Sequence, residues 1–185
     1  MSNVNNVTYG KPKVGGAIAV GDLTATLPKN ATDTLDTSLK ELGYISEDGL
    51  THQNETETEE IKAWGGDTVL TSLTGKTDAF QFTLIETLNV DVLKLVFGSD
   101  NVEGDLENGI KIKANIGQSE ARSYVIDMIL KNGVMKRIVI PNGVITETED
   151  IEYKDDEVVG YGITVKALPD MEGNTHYEYI QNKAK

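Results

Sequence analysis

The groups in this chain that could do chemistry are its carboxylates, two histidines and one tryptophan. Residues 51–66 read THQNETETEEIKAWGG, so Glu55, Glu57, Glu59 and Glu60 lead directly into Trp64, the only tryptophan present. A second acidic run, ETEDIEYKDDE (147–157), carries Glu147, Glu149 and Asp150. Paired carboxylates can hydrolyse a glycoside when they flank a cleft and one has a raised pKa. Acids alternating with threonine at a period of two instead describe solvated strand faces. The two histidines, His52 and His176, are far apart and show no HxxxH spacing. The chain has no cysteine, which removes disulfides, thiolate metal sites and thiol nucleophiles. No GxSxG elbow or phosphate-binding Walker loop is present. The expectation is therefore no enzyme, no catalytic residue, no cofactor and no metal, with each histidine a surface residue. Trp64, beside Gly65 and Gly66, reads as an anchor in a core or a subunit interface.

The charge balance limits the partners. Thirty acids against 17 bases give a net charge of -13, a surface that repels phosphate rather than gathering it. Nucleic acid, if involved, is something that must not stick. The 185 residues, 38% hydrophobic and 25% charged, suffice for one domain with its own core. The opening MSNVNNVTYGKPK has no apolar core of an export signal. No apolar run approaches the ~20 residues of a membrane helix. A soluble protein made in the cytoplasm, with no membrane partner, is expected.

The elements that must position these residues are mostly strands. Residues 1–16 read as an N-terminal arm and 16–27 as a first strand. Leu35, Leu39 and Leu42, with Asp33 as cap and Gly43 behind, predict a short helix or helical turn. Residues 50–88 predict a long hairpin excursion: outgoing from about Leu50 to Trp64, a far end including Gly65, Gly66, Asp67 and TGKTD (74–78, with Lys76), and a return through AFQFTLIETL. Phe80, Phe82 and Leu84 share one face of that return. NVDVLKLVFG predicts a helix over 89–97, capped by Asn89, with Asp91 in its first turn and Gly98 ending it. Turns at NG (132–133), PNG (141–143) and KDDE (154–157) divide the remainder into an antiparallel meander. The whole is mainly β with one flanking helix, a single domain over 1–185, without βαβ rhythm or a solenoid repeat.

From Leu42 to Gly98 the order of features resembles the tail tube (major tail) proteins of long, non-contractile-tailed bacteriophages. The residues that carry the resemblance are GYISEDG (43–49), the Trp64–Gly65 pair, and the passage from Glu86–Thr87 to Phe97–Gly98. The resemblance implies a β-sandwich closing on a barrel-like core of antiparallel sheets. It implies self-assembly into six-membered rings that stack through a long hairpin into a virion tail tube, built in the bacterial host cytoplasm. It also implies tape-measure, tail terminator and distal tail proteins as partners, with DNA transiting the channel without specific binding.

Strand parity bears on which acids line such a channel. Glu55, Glu57 and Glu59 share parity with Ile61, whereas Glu60 shares parity with Trp64. If Ile61 faces the core, either the strand bulges near Glu59–Glu60 or residues 51–58 project beyond the core. These acids, with Glu147, Glu149 and Asp150, are candidates for a channel or inter-ring surface. Trp64, Gly65, Gly66, Asp67 and Lys76 are candidates for a subunit-interface hairpin. The alternative reading is an acidic β-sandwich adhesin or binding module, and a carboxylate hydrolase is a third.

Overall fold

The structure is a computed structural model describing residues 2–13, 16–115, 117 and 119–182. Residues 1, 14 and 15 of the expected arm lie outside the described residues. In chain order the strands are β1 (Lys11–Pro12), β2 (Ile18–Gly21), β3 (Lys40–Glu41), β4 (Ile45–Lys62) and β5 (Thr68–Leu84). After α1 (Val90–Phe97) come β6 (Val102–Asp105), β7 (Gly109–Ile112), β8 (Arg122–Ile129), β9 (Val134–Thr148), β10 (Tyr161–Ala167) and β11 (Tyr177–Asn182). Nine strands form one antiparallel sheet along the path β3-β2-β8-β9-β10-β5-β4, with β1 added to β8 and β11 to β9; β6 and β7 pair separately. The fold is thus mainly β with one helix. The barrel-like closure implied above does not occur. The path ends in the two-residue β3 at one side and in the long β4 at the other, and these do not pair among the described residues.

Alternation along the strands divides the core between the two faces of the sheet. On β2, Ile18 and Val20 join the main cluster and Ala19 joins the second. On β8, Tyr124 and Ile126 face the main cluster and Val125 the other. The main cluster also takes Phe80, Phe82 and Leu84 from β5, Ile163 and Val165 from β10, and Val92, Leu93 and Leu95 from α1. The helix forms as its sequence demands: Asn89 accepts the Asp91 amide at 3.0 Å, Asp91 sits in the first turn, and Gly98 follows at φ 92. On the second face, Arg137 grips Asp127 with both ends of its guanidinium, at 2.6 and 2.9 Å. It also donates to the carbonyls of Asn30 and Asp33, so the loop after β2 is pinned over the sheet.

Two predicted elements do not form. Residues 33–42 make no helix. Asn30 accepts the amides of Thr32 and Asp33, and Asp36 accepts that of Ser38; these side-chain turns take the backbone donors a helix would use. The three leucines then serve different neighbours, Leu39 packing in the second cluster and Leu42 in the main one. Likewise Pro141–Asn142–Gly143 is no turn. β9 runs through it, with the register slipping between the pairs Arg122↔Gly143 and Tyr124↔Ile140. Glycine is required there, because a Cβ at 143 would stand 2.8–2.9 Å from Val165 and Tyr124. The Asn132–Gly133 turn does form, with φ 63 and 77.

Candidate functional site

The feature that leaves the body of the fold is the β4–β5 hairpin. β5 pairs with β10 from Leu84 only as far as Ala79, and from Asp78 outward it pairs with β4 alone. Every residue from Thr51 to Thr74 is exposed. Nine residues of β4, 54–62, therefore project roughly 30 Å at ~3.3 Å per residue. The turn is tighter than predicted and lies wholly within 63–67. The Ala63 amide donates to Asp67 and the Gly66 amide to Ala63, and Gly65 and Gly66 take φ of 124 and 99 that other residues resist. Thr74–Asp78 is not part of the turn but already return strand. Thr74 is an extra residue there, at a bulge between the pairs Glu57↔Gly75 and Thr58↔Leu73.

The tip is apolar. Trp64 is fully exposed, at 106%, so within this chain it belongs to no core. Ile61, Val69, Leu70 and Leu73, along the outer part of the hairpin, are exposed as well. Ile61 does not face the core, so the condition that made the three glutamates of its parity awkward does not apply. Lys76 pairs with Thr56 on the return strand, and Asp67 closes the turn.

Register assigns the acids to faces. Leu50, His52 and Phe80 lie on the core side, so Thr51, Gln53, Glu55 and Glu57, with Glu59 beyond the bulge, share the opposite side with Gln81. Gln81 pairs with Thr164, which pairs with Glu147 across β10, so Glu147 falls on that side too. Glu149 joins it directly: its side chain covers Gly162, where a Cβ would collide with it, and accepts from Gln81 at 2.7 Å. Two acidic runs far apart in sequence thus occupy one sheet face. Glu60 is on the other side, accepting from Thr68 at 3.2 Å. Asp150 is exposed just past β9.

At the root of the hairpin lies a cluster that sequence reasoning missed. Asp78, 1% exposed, meets His52 Nε2 at 2.5 Å through Oδ1 and His176 Nδ1 at 2.6 Å through Oδ2. The Thr175 hydroxyl also donates to Oδ2. Phe80 stacks on His52, ring centroids 4.2 Å apart and planes 10° from parallel. Burial pushes the Asp78 carboxyl up. Hydrogen bonds from Thr175, His52 and His176, with the coulombic effect of His176, outweigh that and hold it below the usual carboxylate range. The signal for half of this was present: a hairpin turning at 63–67 brings His52 near Asp78 by simple count, and the bulges along it shift the pairing to His52↔Phe80. No local pattern points to His176, which enters from the segment before β11.

Among the described residues no helix is long and apolar enough to cross a membrane. Comparison with protein families matches residues 11–185 to a family described as phage tail tube protein. No curated protein matches the sequence. Solved structures to which the chain is similar include the following three. One is the sheath/tube terminator of the PVC extracellular contractile injection system in its extended state, at 10% identity and TM-score 0.48, covering 92% of this chain and 96% of that one. Another is the tube terminating cap of the anti-feeding prophage, at 11% identity and TM-score 0.47, covering 99% and 100%. The third is the PVC sheath–tube complex in its extended state, at 8% identity and TM-score 0.46, covering 91% and 90%.

Proposed function

The chain belongs to the phage tail tube protein family and is a structural component of the virion tail; from that premise we propose that it is a ring-forming tube subunit, assembled in the host cytoplasm. Copies form six-membered rings, and the rings stack through the β4–β5 hairpin around a channel that DNA traverses without specific binding. The subunit's partners are a tape-measure protein, enclosed during assembly, and terminator and distal tail proteins.

The observation that carries this reading is the hairpin itself. A strand pair that leaves its own core and ends in an exposed tryptophan and four exposed aliphatic side chains has a surface suited to another subunit. Burying side chains of this size is worth about 1.5–3 kcal/mol each, enough to offset the ordering of a hairpin on docking. β4 is also the sheet's long open edge, which a neighbour can extend. The face bearing Glu55, Glu57, Glu59, Glu147 and Glu149 is the channel candidate: duplex DNA carries one negative charge per ~1.7 Å, and a carboxylate wall gives it nothing to grip. Glu60, on the other side of β4, and Asp150, beyond the end of β9, are proposed as contacts between rings.

Electron microscopy of concentrated protein, with and without the tape-measure protein as nucleator, tests the assembly. Rings or tubes are expected, and a strict monomer under both conditions would sink the proposal. Charge reversal of Glu55, Glu57 and Glu59 to lysine separates the two roles for that stripe. DNA retained on otherwise normal tubes supports a channel face; loss of stacking without DNA retention assigns the stripe to the ring contact.

A further inference from the structure

We propose that His52, Asp78 and His176 form a binding site for one divalent transition-metal ion of the zinc class. Their donor atoms lie within 4.8 Å of one another. They stand as hydrogen-bonded pairs at 2.5 and 2.6 Å, and an ion about 2.0–2.2 Å from each ligand would part them by roughly 1 Å. That movement is open to both imidazoles, whose side chains are 26% and 15% exposed.

The donor set selects the class of ion. Two imidazole nitrogens and one carboxylate suit zinc and its first-row neighbours. Calcium and magnesium ask for more oxygen ligands, and without thiolates the set is too hard for copper(I). The outward side leaves a fourth position for water. Among the described residues neither histidine bonds the protein through its other ring nitrogen, so His52 Nδ1 and His176 Nε2 can carry the protons while the inner nitrogens coordinate.

The surroundings are built as a ligand site requires. The Asp78 carboxylate is buried and held by His52, His176 and Thr175; a dication bound at the inner nitrogens would supply a full opposite charge beside it. The Thr175 hydroxyl fixes the orientation of the carboxylate, the outer-shell role seen around bound metals. Phe80, buried beneath both rings, is stacked on His52 and edge-on to His176 at 5.4 Å, giving the site an apolar floor. The ion would join β4, β5 and the segment entering β11 at the place where the hairpin leaves the body. This inference stands apart from the tube reading and fails or holds without it.

The chain contains only two histidines, which makes the test direct. Tag-free, chelator-treated full-length protein is titrated with zinc by calorimetry, with cobalt by visible absorption, and with zinc by proton NMR of the imidazole resonances. One site per chain is expected, with ligand-field bands in the cobalt form and both histidines shifting together up to one equivalent. His52→Gln and His176→Gln should each weaken binding by at least the roughly 10- to 100-fold that loss of an outer-shell partner costs. Absence of saturable binding overturns the site, as does binding that leaves either histidine resonance unmoved. The NMR arm uses the unaltered chain, so it decides the matter even where a glutamine variant fails to fold.

Discussion

The carboxylate of Glu86 occupies the space that a side chain on Gly43 would fill. Gly43 has φ 77, and Glu86 Oε1 accepts the Tyr44 amide at 2.9 Å. The entry to β4 is thereby tied to the turn that leads into α1, and the tie needs glycine twice over, for its backbone and for its bare face. Gly43→Ala should lower stability by about 1–2 kcal/mol through the left-handed backbone alone, and further by displacing Glu86. Urea denaturation of Gly43→Ala, Glu86→Ala and the double variant measures both parts. The double variant should lose less than the sum of the singles.

Arg137 and Asp127 are both buried, at 3% and 4% exposure, and Lys13 reaches Asp127 only at 3.3 Å. Arg137→Ala leaves a buried carboxylate with the Lys13 ammonium as its one remaining side-chain partner among the described residues and frees the carbonyls of Asn30 and Asp33. A loss of about 3–5 kcal/mol is expected, read by chemical denaturation, with faster proteolysis in the loop over residues 30–36.

Trp64 is fully exposed and belongs to neither core cluster among the described residues. Trp64→Ala should leave the unfolding free energy within about 0.5 kcal/mol of the parent and still remove assembly. Calorimetry and sedimentation velocity on one sample measure the two effects. A fall in stability together with intact assembly would contradict the interface role.

Asp170 organises the turn before β11. Its carboxyl is held below the usual range, first by the Tyr177 hydroxyl at 2.6 Å and then by the Asn174 amide, with the Glu172 amide adding to them. Because its folded pKa is depressed, its contribution is present above the unfolded value of about 3.9 and is lost as pH falls through the lower folded value. NMR of the turn amides and the Tyr177 ring during acidification should follow that loss, and Asp170→Asn should lack the transition.

The parts of the fold set by local chemistry were legible in the sequence. Asn89, Asp91 and Gly98 bound α1 as predicted, and Asn132–Gly133 turns β8 into β9. What failed were patterns with two physical readings. Leucines at 35, 39 and 42 fit a helical stripe, but Asn30 and Asp36 divert the backbone donors into turns. Gly75 and Gly143 look like turn residues and instead sit at bulges inside strands. The glutamates of the hairpin were found as a group, yet their shared face with Glu149 depends on pairing across β10 that no single segment encodes. His176 reached Asp78 through the path of the whole chain, and the same holds for Arg137 and the loop it pins.

The hairpin and its root together make a lever. With an arm of roughly 30 Å, a tilt of only about 10° at the root carries Trp64 through about 5 Å, the spacing of neighbouring strands. The placement of the tip is therefore decided where the arm is held, by Asp78 and the three side chains that bond to it. Small differences in stiffness there become differences of a whole strand position at the far end.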